Sequence, residues 1–365
     1  MSYIMIYNSL VKSLLFKLDA EQAHSTIHRF AETASDSGML KTLAKSLYNY
    51  QSAKLSQQIW GLTFRNPIGL AAGFDKNGQI PEIMEALGFG FVEIGSITAN
   101  PNTGNPKPRA FRLPKDRALI NRMGLNNDGA QTIVKRLKNK ELSIPLGINI
   151  AKTHDPKIMG DAAIEDYVQS FNEAKKVADY ITVNISCPNT SEGKTFEDPR
   201  ALDELLSALK IRDDARVVPT TVKFSSDLTK DQLLQLLEIC ENHRIHGYVA
   251  CNTSSSREGL QTSESELNNI GQGGLSGKPI ANKSIQIVEW ISEATKGQKP
   301  IIGVGGIDNF STALKMLLAG ADLLQMYTGL IYEGPGLVKS INRQLLHELD
   351  ELNIKSIHQL VKAID

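Results

Sequence analysis

The sequence predicts an α/β fold, a (β/α)8 TIM barrel with a small N-terminal helical extension. Three observations predict it. Eight short, apolar, β-rich runs recur from Ile68 onward, amphipathic helical patterns fall between them, and the runs end in polar residues or glycine. Continuous β-rich runs separated by helices read as buried parallel strands in βα units, and eight units close a barrel. A doubly wound open sheet is the competing α/β architecture.

The expected strands are Ile68–Gly73, Phe91–Gly95, Pro145–Ile150, Tyr180–Asn184, Thr220–Phe224, Gly247–Cys251, Pro300–Val304 and Asp322–Met326. Expected helices between them include Ile80–Leu87, Tyr167–Val177, Asp231–Glu241 and Ser284–Ala294. Leu55–Asn66, around Trp60-Gly61, reads as a hairpin closing the barrel floor. The Pro- and Asn-rich stretch from Ser96 to Leu125 is too long for an ordinary βα loop and suggests an elaborated active-site loop.

The extension, residues 1–50, precedes a barrel of residues 51–365. Ile6, Leu10, Leu14 and Leu18 recur at helical spacing, broadened by Val11 and Leu15. Asp19 can cap a second helix, with Gln22 at capping-box spacing and Ala23, Ile27, Phe30 and Ala34 as its apolar face. Glu32–Ser37 and Lys355–Asp365 read as solvated surface.

The 365 residues fit one barrel with additions. Hydrophobic content of 41% and charged content of 22% are those of a soluble globular protein. Formal net charge is zero, which gives no field favouring nucleic acid. Three cysteines, Cys187, Cys240 and Cys251, without CxxC spacing argue against a disulfide framework or a zinc site, and no metal is expected. A reducing compartment follows. No apolar run approaches the roughly 20 residues of a membrane span, so any membrane contact lies on the surface.

In barrels of this kind the active site lies at the C-terminal strand ends. Those ends carry Asp75-Lys76, Gly95-Ser96, Asn149, Asn184, Lys223, Asn252-Thr253, Gly305-Gly306 and Tyr327-Thr328. Two lysines and several amides at one mouth suit an anionic, heteroaromatic ligand. Gly303-Val-Gly-Gly-Ile307 and Tyr327-Thr-Gly329 offer backbone N–H groups near helix starts, the usual phosphate site after the last two strands. Gly273–Gly277 could add amides. The phosphate belongs to a substrate or to flavin mononucleotide. The most informative segment is Asn184-Ile-Ser-Cys-Pro-Asn-Thr190, where a strand ends in two amides, a hydroxyl, a thiol and a proline. Cys187 can serve there as a base, with Asn184 and Asn189 gripping a polar ring. Cys240 reads as core. Cys251 also reads as core, with a backbone contact to flavin left open.

These residues resemble a known family, dihydroorotate dehydrogenase, in its membrane-associated, quinone-reducing branch. The resemblance is carried by Gly61-Leu-Thr-Phe-Arg-Asn-Pro-Ile-Gly-Leu-Ala-Ala-Gly-Phe-Asp-Lys76, Asn105-Pro-Lys-Pro-Arg-Ala-Phe-Arg-Leu-Pro114 and Ile120-Asn-Arg-Met-Gly-Leu-Asn-Asn127. It continues through Asn184-Ile-Ser-Cys-Pro-Asn189, Gly273-Gly-Leu-Ser-Gly-Lys-Pro279 and Ile301-Ile-Gly-Val-Gly-Gly306.

The resemblance implies a (β/α)8 barrel holding FMN that oxidises dihydroorotate to orotate in pyrimidine synthesis and passes electrons to a membrane quinone. It implies Cys187 as the base for the C5 proton, with hydride leaving C6 for flavin N5. Asn121, Asn184, Asn189, Asn252 and Thr253 would hold the pyrimidine and its carboxylate, beside the segment Arg122, Met123, Gly124 and Leu125. Lys76 would face both flavin and substrate, and Lys223 the flavin ring. Ala72, Gly73, Ser96 and Asn149 would line the isoalloxazine, with Asn184 and Cys251 close by. Gly277, Gly306, Tyr327 and Thr328 would take the phosphate. His24, Arg112 and Tyr327 would line a quinone tunnel under N-terminal helices that anchor monotopically.

The chain departs from the branch pattern in several places. The base is ordinarily serine there, and cysteine is the habit of the soluble, fumarate- or NAD-reducing branches. Leu125 stands where phenylalanine is usual, Ala151-Lys-Thr153 where Gly-Lys-Asn is, and Ser225-Ser226 where Ala-Pro is. The N-terminal helices and the Asn-Arg-Met-Gly segment favour the quinone branch. A soluble-acceptor enzyme and a non-catalytic FMN-binding barrel are the alternatives. The absence of a transit-peptide pattern favours the cytoplasmic face of a bacterial inner membrane over a mitochondrial one.

Overall fold

Eight parallel strands close on themselves in the computed structural model, which describes Tyr7 and residues 11–186, 196–211 and 217–362. The strands along the chain are β1 (Gln57–Ile59), β2 (Leu62–Phe64), β3 (Ile68–Leu70), β4 (Phe91–Ile97), β5 (Ala110–Leu113), β6 (Ala118–Asn121) and β7 (Leu146–Ile150). They continue with β8 (Tyr180–Asn184), β9 (Thr220–Phe224), β10 (Gly247–Ala250), β11 (Gly274–Gly277), β12 (Ile301–Val304) and β13 (Leu323–Met326). The barrel runs β3-β4-β7-β8-β9-β10-β12-β13 and back to β3. Strands β7, β8 and β9 are buried along their whole length, which is why their sequences lack the apolar–polar alternation of a half-exposed strand. The expected barrel is therefore the fold observed, and the open sheet is not.

Local chemistry sets the helices between strands. Thr229 and Gln232 form a reciprocal capping box at the start of Lys230–Asn242, and Asn309 with Thr312 does the same for Phe310–Leu318. Asp198 accepts from the Ala201 amide ahead of Pro199–Leu209, where proline occupies the first turn.

The barrel interior is layered. At the floor, β1 and β2 pair through a two-residue turn in which Trp60 (φ 56°) and Gly61 (φ 78°) are both left-handed, as a type I′ hairpin requires. Ile59 and Phe64 of this hairpin pack on Phe91, Tyr180, Val249, Ile302 and Leu323 of the barrel. Gly69 and Gly147 leave room for two of these rings, since a Cβ would lie 2.3 Å from Phe91 and 2.1 Å from Tyr180. One layer up, at the next inward positions, sit Glu93, Asn149, Thr182, Thr221 and Gln325, all buried. Above them the interior opens.

The loop after β4 is indeed elaborated. Its strands β5 and β6 form a three-stranded antiparallel sheet with β11, from the loop after β10. The Gly273–Gly277 cluster, expected as a loop of free amides, is thus largely a strand paired with β6, and Leu275 also bridges Ser254.

The described N-terminal region holds a single helical turn α1 (Lys12–Leu15), α2 (Ala20–Asp36) and α3 (Gly38–Tyr48). Asp19 caps α2 as expected, accepting from the amides of Glu21 and Gln22. Ser37 then caps α3 by accepting from the Leu40 amide, so the segment bends at Gly38 into a further helix.

Three expectations fail here. Phe30 was expected on the buried face of α2, yet it is 67% exposed, because the face turned to the barrel carries the small residues Ala23, Ala31, Ala34 and Ser35. Within Glu32–Ser37, Ser35 is buried and its hydroxyl accepts from the Ile83 amide, while Glu32 accepts from Gln79. At the other terminus, Ile357, Leu360 and Val361 of the helix Ile357–Lys362 are buried in the core, so this stretch is not all solvated surface. No helix among the described residues is long and apolar enough to cross a membrane.

Candidate active site

The open end of the barrel is a cavity of about 780 Å³. Ala72, Gly73 and Lys76 reach it from the loop after β3, and Ser96 from β4. Asn184 and Lys223 enter from the ends of β8 and β9, which are register partners. Cys251, Asn252 and Thr253 follow β10, Gly306 follows β12, and Tyr327 and Thr328 follow β13. Asn121, Arg122, Met123, Gly124, Leu125 and Gly277 close it from the three-stranded sheet and its edges. Almost every residue singled out in the sequence thus meets in one place. Cys187 and Asn189 lie outside the described residues.

A chain of polar side chains runs along one wall. The Ser96 hydroxyl donates to Asn149 Oδ1, and Asn184 Nδ2 donates to Ser96 Oγ at 3.3 Å. Ser186 Oγ donates to Asn184 Oδ1 at 3.0 Å, and Asn252 Nδ2 donates to Ser186 Oγ at 2.9 Å. Asn149 does not itself line the cavity. It sits beneath Ser96 and donates to Glu93 at 2.9 Å.

The cations are unequal. Lys76 donates to the Gly73 carbonyl at 2.8 Å, and burial, with the Arg109 charge adding, lowers its pKa to about 8. Lys223 is buried, which lowers its pKa, while the charges of Glu93 and Cys251 act in the opposite sense. Among the described residues the Lys223 ammonium has no hydrogen-bond partner. Carboxylates stand at the rim. Burial raises Glu197 to about 7 although the Ser225 amide donates to it, and the Asp227 charge adds to the rise. Asp227 is held low despite burial because Ser254 and Ser255 donate to it.

At the far end, the amides of Gly305 and Gly306 donate to no acceptor among the described residues. The helix Thr328–Glu333 starts on the same cavity, and its Thr328 hydroxyl lies 2.9 Å from Ser276. Unpaired amides of this kind could hold an anion.

Not every expected residue aims inward. The Arg122 guanidinium donates to the Gln272 carbonyl at 2.9 Å and stacks over Phe111 at 4.7 Å, so only part of the residue reaches the cavity. Arg112 donates to the carbonyls of Leu15 and Leu18 and lies 4.6 Å over the Phe16 ring, tying down the end of the N-terminal turn. His24 is half-buried against Phe74, 5.2 Å between ring centroids, and Phe74 meets Tyr327 at the same separation. Burial and the nearby Lys76 hold the His24 pKa well below its ordinary value. Among the described residues no group of three or more His, Cys, Asp or Glu could hold a metal ion.

The sequence reading missed Glu93, Gln325 and Glu197. For the first two a signal existed: each is the only charged or amide side chain in an apolar strand, in Phe-Val-Glu93-Ile and Leu-Leu-Gln325-Met.

The model of the family described as dihydroorotate dehydrogenase matches residues 54–349. A protein of Christiangramia forsetii called dihydroorotate dehydrogenase (quinone) is 40% identical over 345 residues, covering 94% of this chain and 99% of its own. One of the same name from Pasteurella multocida is 41% identical over 346 residues, covering 92% and 99%. Among solved structures, DHODH from Eimeria tenella in complex with ferulenol superposes with a TM-score of 0.78 at 32% identity, over 90% of this chain and 94% of that one. With that match along most of its length, on a barrel whose strand ends carry the expected cavity, the chain belongs to the dihydroorotate dehydrogenase family.

Proposed function

We propose that the protein is a quinone-dependent dihydroorotate dehydrogenase, oxidising dihydroorotate to orotate in pyrimidine synthesis with FMN as its resident cofactor. The observation that carries this reading is a cavity with Lys223 buried at its base, Lys76 at its side and an open amide cradle at Gly305-Gly306. Such a cavity suits a flat, electron-poor ring with a phosphate tail, stacked on a second, anionic ring. The residues fit the cofactor on two counts, a buried cation and two backbone amides that have no acceptor among the described residues.

Ala72, Gly73, Ser96, Asn149, Asn184, Cys251 and Lys223 would surround the ring system, and Gly277, Gly306, Tyr327 and Thr328 the phosphate end. FMN, when bound, supplies the two-electron acceptor for the C5–C6 oxidation. Asn121, Asn184, Asn189, Asn252 and Thr253 would orient the pyrimidine, with Lys76 on its carboxylate and Arg122–Leu125 as a cover that excludes water. The base would be Cys187, taking the proton from C5. An unperturbed thiol titrates near 8.5, so this role needs a cationic or hydrogen-bonding setting.

Electrons leave to a membrane quinone in this reading. The helices of residues 1–50 form a peripheral anchor apart from the barrel of residues 51–365, on the cytoplasmic face of a bacterial inner membrane or on a mitochondrial inner membrane. Leu14, Phe30, Met39 and Leu43 support it, for all four are exposed, Met39 by 82%. His24, Arg112 and Tyr327 would flank the quinone's approach.

The test is anaerobic reduction of the purified protein by dihydroorotate, followed by reoxidation with a short-chain quinone, fumarate or NAD. Bleaching of the flavin and a strong quinone preference are expected. Preference for fumarate or NAD overturns the quinone assignment, and a flavin left oxidised overturns the activity. Cys187→Ser should keep turnover with its alkaline limb displaced, whereas Cys187→Ala should lose flavin reduction by about 10²-fold or more.

A further inference from the structure

The polar layer beneath the cavity contains a charge that the proposed reaction does not use. Glu93 is 0% exposed, in the middle of β4, and its nearest surroundings are neutral. Asn149 Nδ2 donates to Oε1 at 2.9 Å. Gln325 Nε2 at 2.8 Å, Thr182 Oγ1 at 3.0 Å and the Tyr180 hydroxyl at 3.1 Å all donate to Oε2. Asn149 Oδ1 already accepts from Ser96, so this amide can turn only N–H toward Glu93, and the pattern is that of an anionic acceptor. Four side-chain donors on one buried carboxylate make a constructed site rather than an accident of packing.

A buried charge is costly unless a counter-charge lies nearby. No lysine or arginine lies within ion-pairing distance of Glu93 among the described residues. The facing cation is Lys223, two residues beyond Thr221, whose hydroxyl lies 2.9 Å from Thr182 Oγ1. Inward positions alternate along a strand, so Lys223 stands one layer above this network.

We propose that Glu93 is a positioning residue that keeps the Lys223 ammonium protonated beneath the flavin ring, and so holds the cofactor's redox potential steady across the working pH range. Lys223 would otherwise be a buried cation with no ion-pair partner among the described residues. Burial lowers its pKa, and the largest opposing influence is the Glu93 charge. The other titratable groups facing this space give little help. Burial raises Cys251 to about 11 and Tyr327 to about 12, and holds Tyr180 well above its ordinary value, so all three stay neutral near pH 7. Lys76, across the cavity, carries the same sign as Lys223. Glu93 also orients Asn149, whose Oδ1 receives the Ser96 hydroxyl, so the same carboxylate fixes one edge of the ring site.

This inference rests on the FMN reading above, and its test separates the two. The midpoint potential of the flavin-loaded protein is measured against pH for the parent, Glu93→Gln, Lys223→Met and the double variant. Glu93→Gln keeps the shape and removes the charge. The plot for E93Q should break at a pH lower than the parent's by about one unit or more, as Lys223 loses its support. In the Lys223→Met background, E93Q should move nothing. A break unmoved by E93Q, or moved equally in both backgrounds, overturns the proposal. Glu93→Asp, with the charge withdrawn by one methylene, should give a smaller shift in the same direction. It is the variant to read if E93Q does not retain flavin, and no shift in it counts against the idea. A parent isolated without flavin defeats the FMN reading alone. The pair is then read by denaturant unfolding, where non-additive midpoint shifts for E93Q and K223M support the coupling and additive ones overturn it.

Discussion

His28 Nε2 stands 3.7 Å from Asp75 Oδ1, and through this contact helix α2 reaches the loop that carries Lys76. The Asp75 carboxylate is fully buried. Burial alone would raise its pKa, but the His28 contact and the amides of Ile80 and Gln79 outweigh it and hold the carboxyl below its ordinary value. One residue therefore ties the N-terminal extension to the barrel and shapes the turn before a candidate substrate ligand.

Asp75→Asn should cost about 3 kcal/mol in denaturant unfolding at pH 7, because it leaves buried amides facing a poorer acceptor. The sign with pH follows from the lowered pKa. The carboxylate's contribution is fully present above the unfolded-state value near 3.9 and is lost as pH falls through the lower folded value. The gap between parent and variant should therefore close on acidification below about pH 4. A gap that stays constant to pH 3 would refute the assignment.

The Glu21 carboxylate accepts from Arg109 at 2.9 Å, both nearly buried, and joins α2 to the loop before β5. Glu21→Gln should loosen α2 without unfolding the barrel. Limited proteolysis of the N-terminal helices should quicken about tenfold, which corresponds to about 1.4 kcal/mol of local opening, while the unfolding midpoint of the remaining barrel stays put.

Lys76 titrates near pH 8 through burial, so its charge is present at pH 7 and fades above 8. Orotate binding, followed by titration calorimetry, should weaken as pH rises from 7.5 to about 9.5, up to tenfold per unit before the bound anion's own stabilising effect is counted. Lys76→Met should bind weakly at every pH and show no such trend.

Gly147→Ala would place a Cβ 2.1 Å from the Tyr180 ring. The ring must move, taking its hydroxyl away from Glu93. A loss of about 1–3 kcal/mol in thermal or denaturant unfolding is expected. An alanine variant as stable as the parent would mean that the floor layer is looser than described.

Cys240 is fully buried with its thiol pKa pushed far up by burial, and Cys251 is raised to about 11 from the same cause. Neither should react with iodoacetamide at pH 8 in the native protein, and both should label once it is unfolded. Mass spectrometry after brief alkylation decides it.

The barrel was legible because buried parallel strands need unbroken apolar runs, and β8 and β9 match their expected limits to the residue. The apolar run continues through Ala71-Ala72-Gly73 and so predicts a first strand longer than the observed Ile68–Leu70. The chain has by then left the sheet, with Gly73 at φ 99°. Helix α3 is hard to read from sequence, since Gly38 opens it and the exposed Met39 and Leu43 obscure the stripe of Leu40 and Ala44 that packs on the core. Cavity residues at strand ends were readable from position alone. Glu93 shows in the sequence only as a single charge inside an apolar run, and its role depends on the donors around it, from three other strands.

The sheet over the cavity joins β5 and β6, from one loop, to β11, from another more than 150 residues later in the chain. Two of the roof's three strands therefore come from one loop and the third from the other, and a residue gained or lost in β6 or β11 would slip the pairing and turn Asn121 to the wrong side of the sheet. The two loops can change length within their strands only together. A variant library built at either loop alone should find function confined to substitutions and to insertions at the turns.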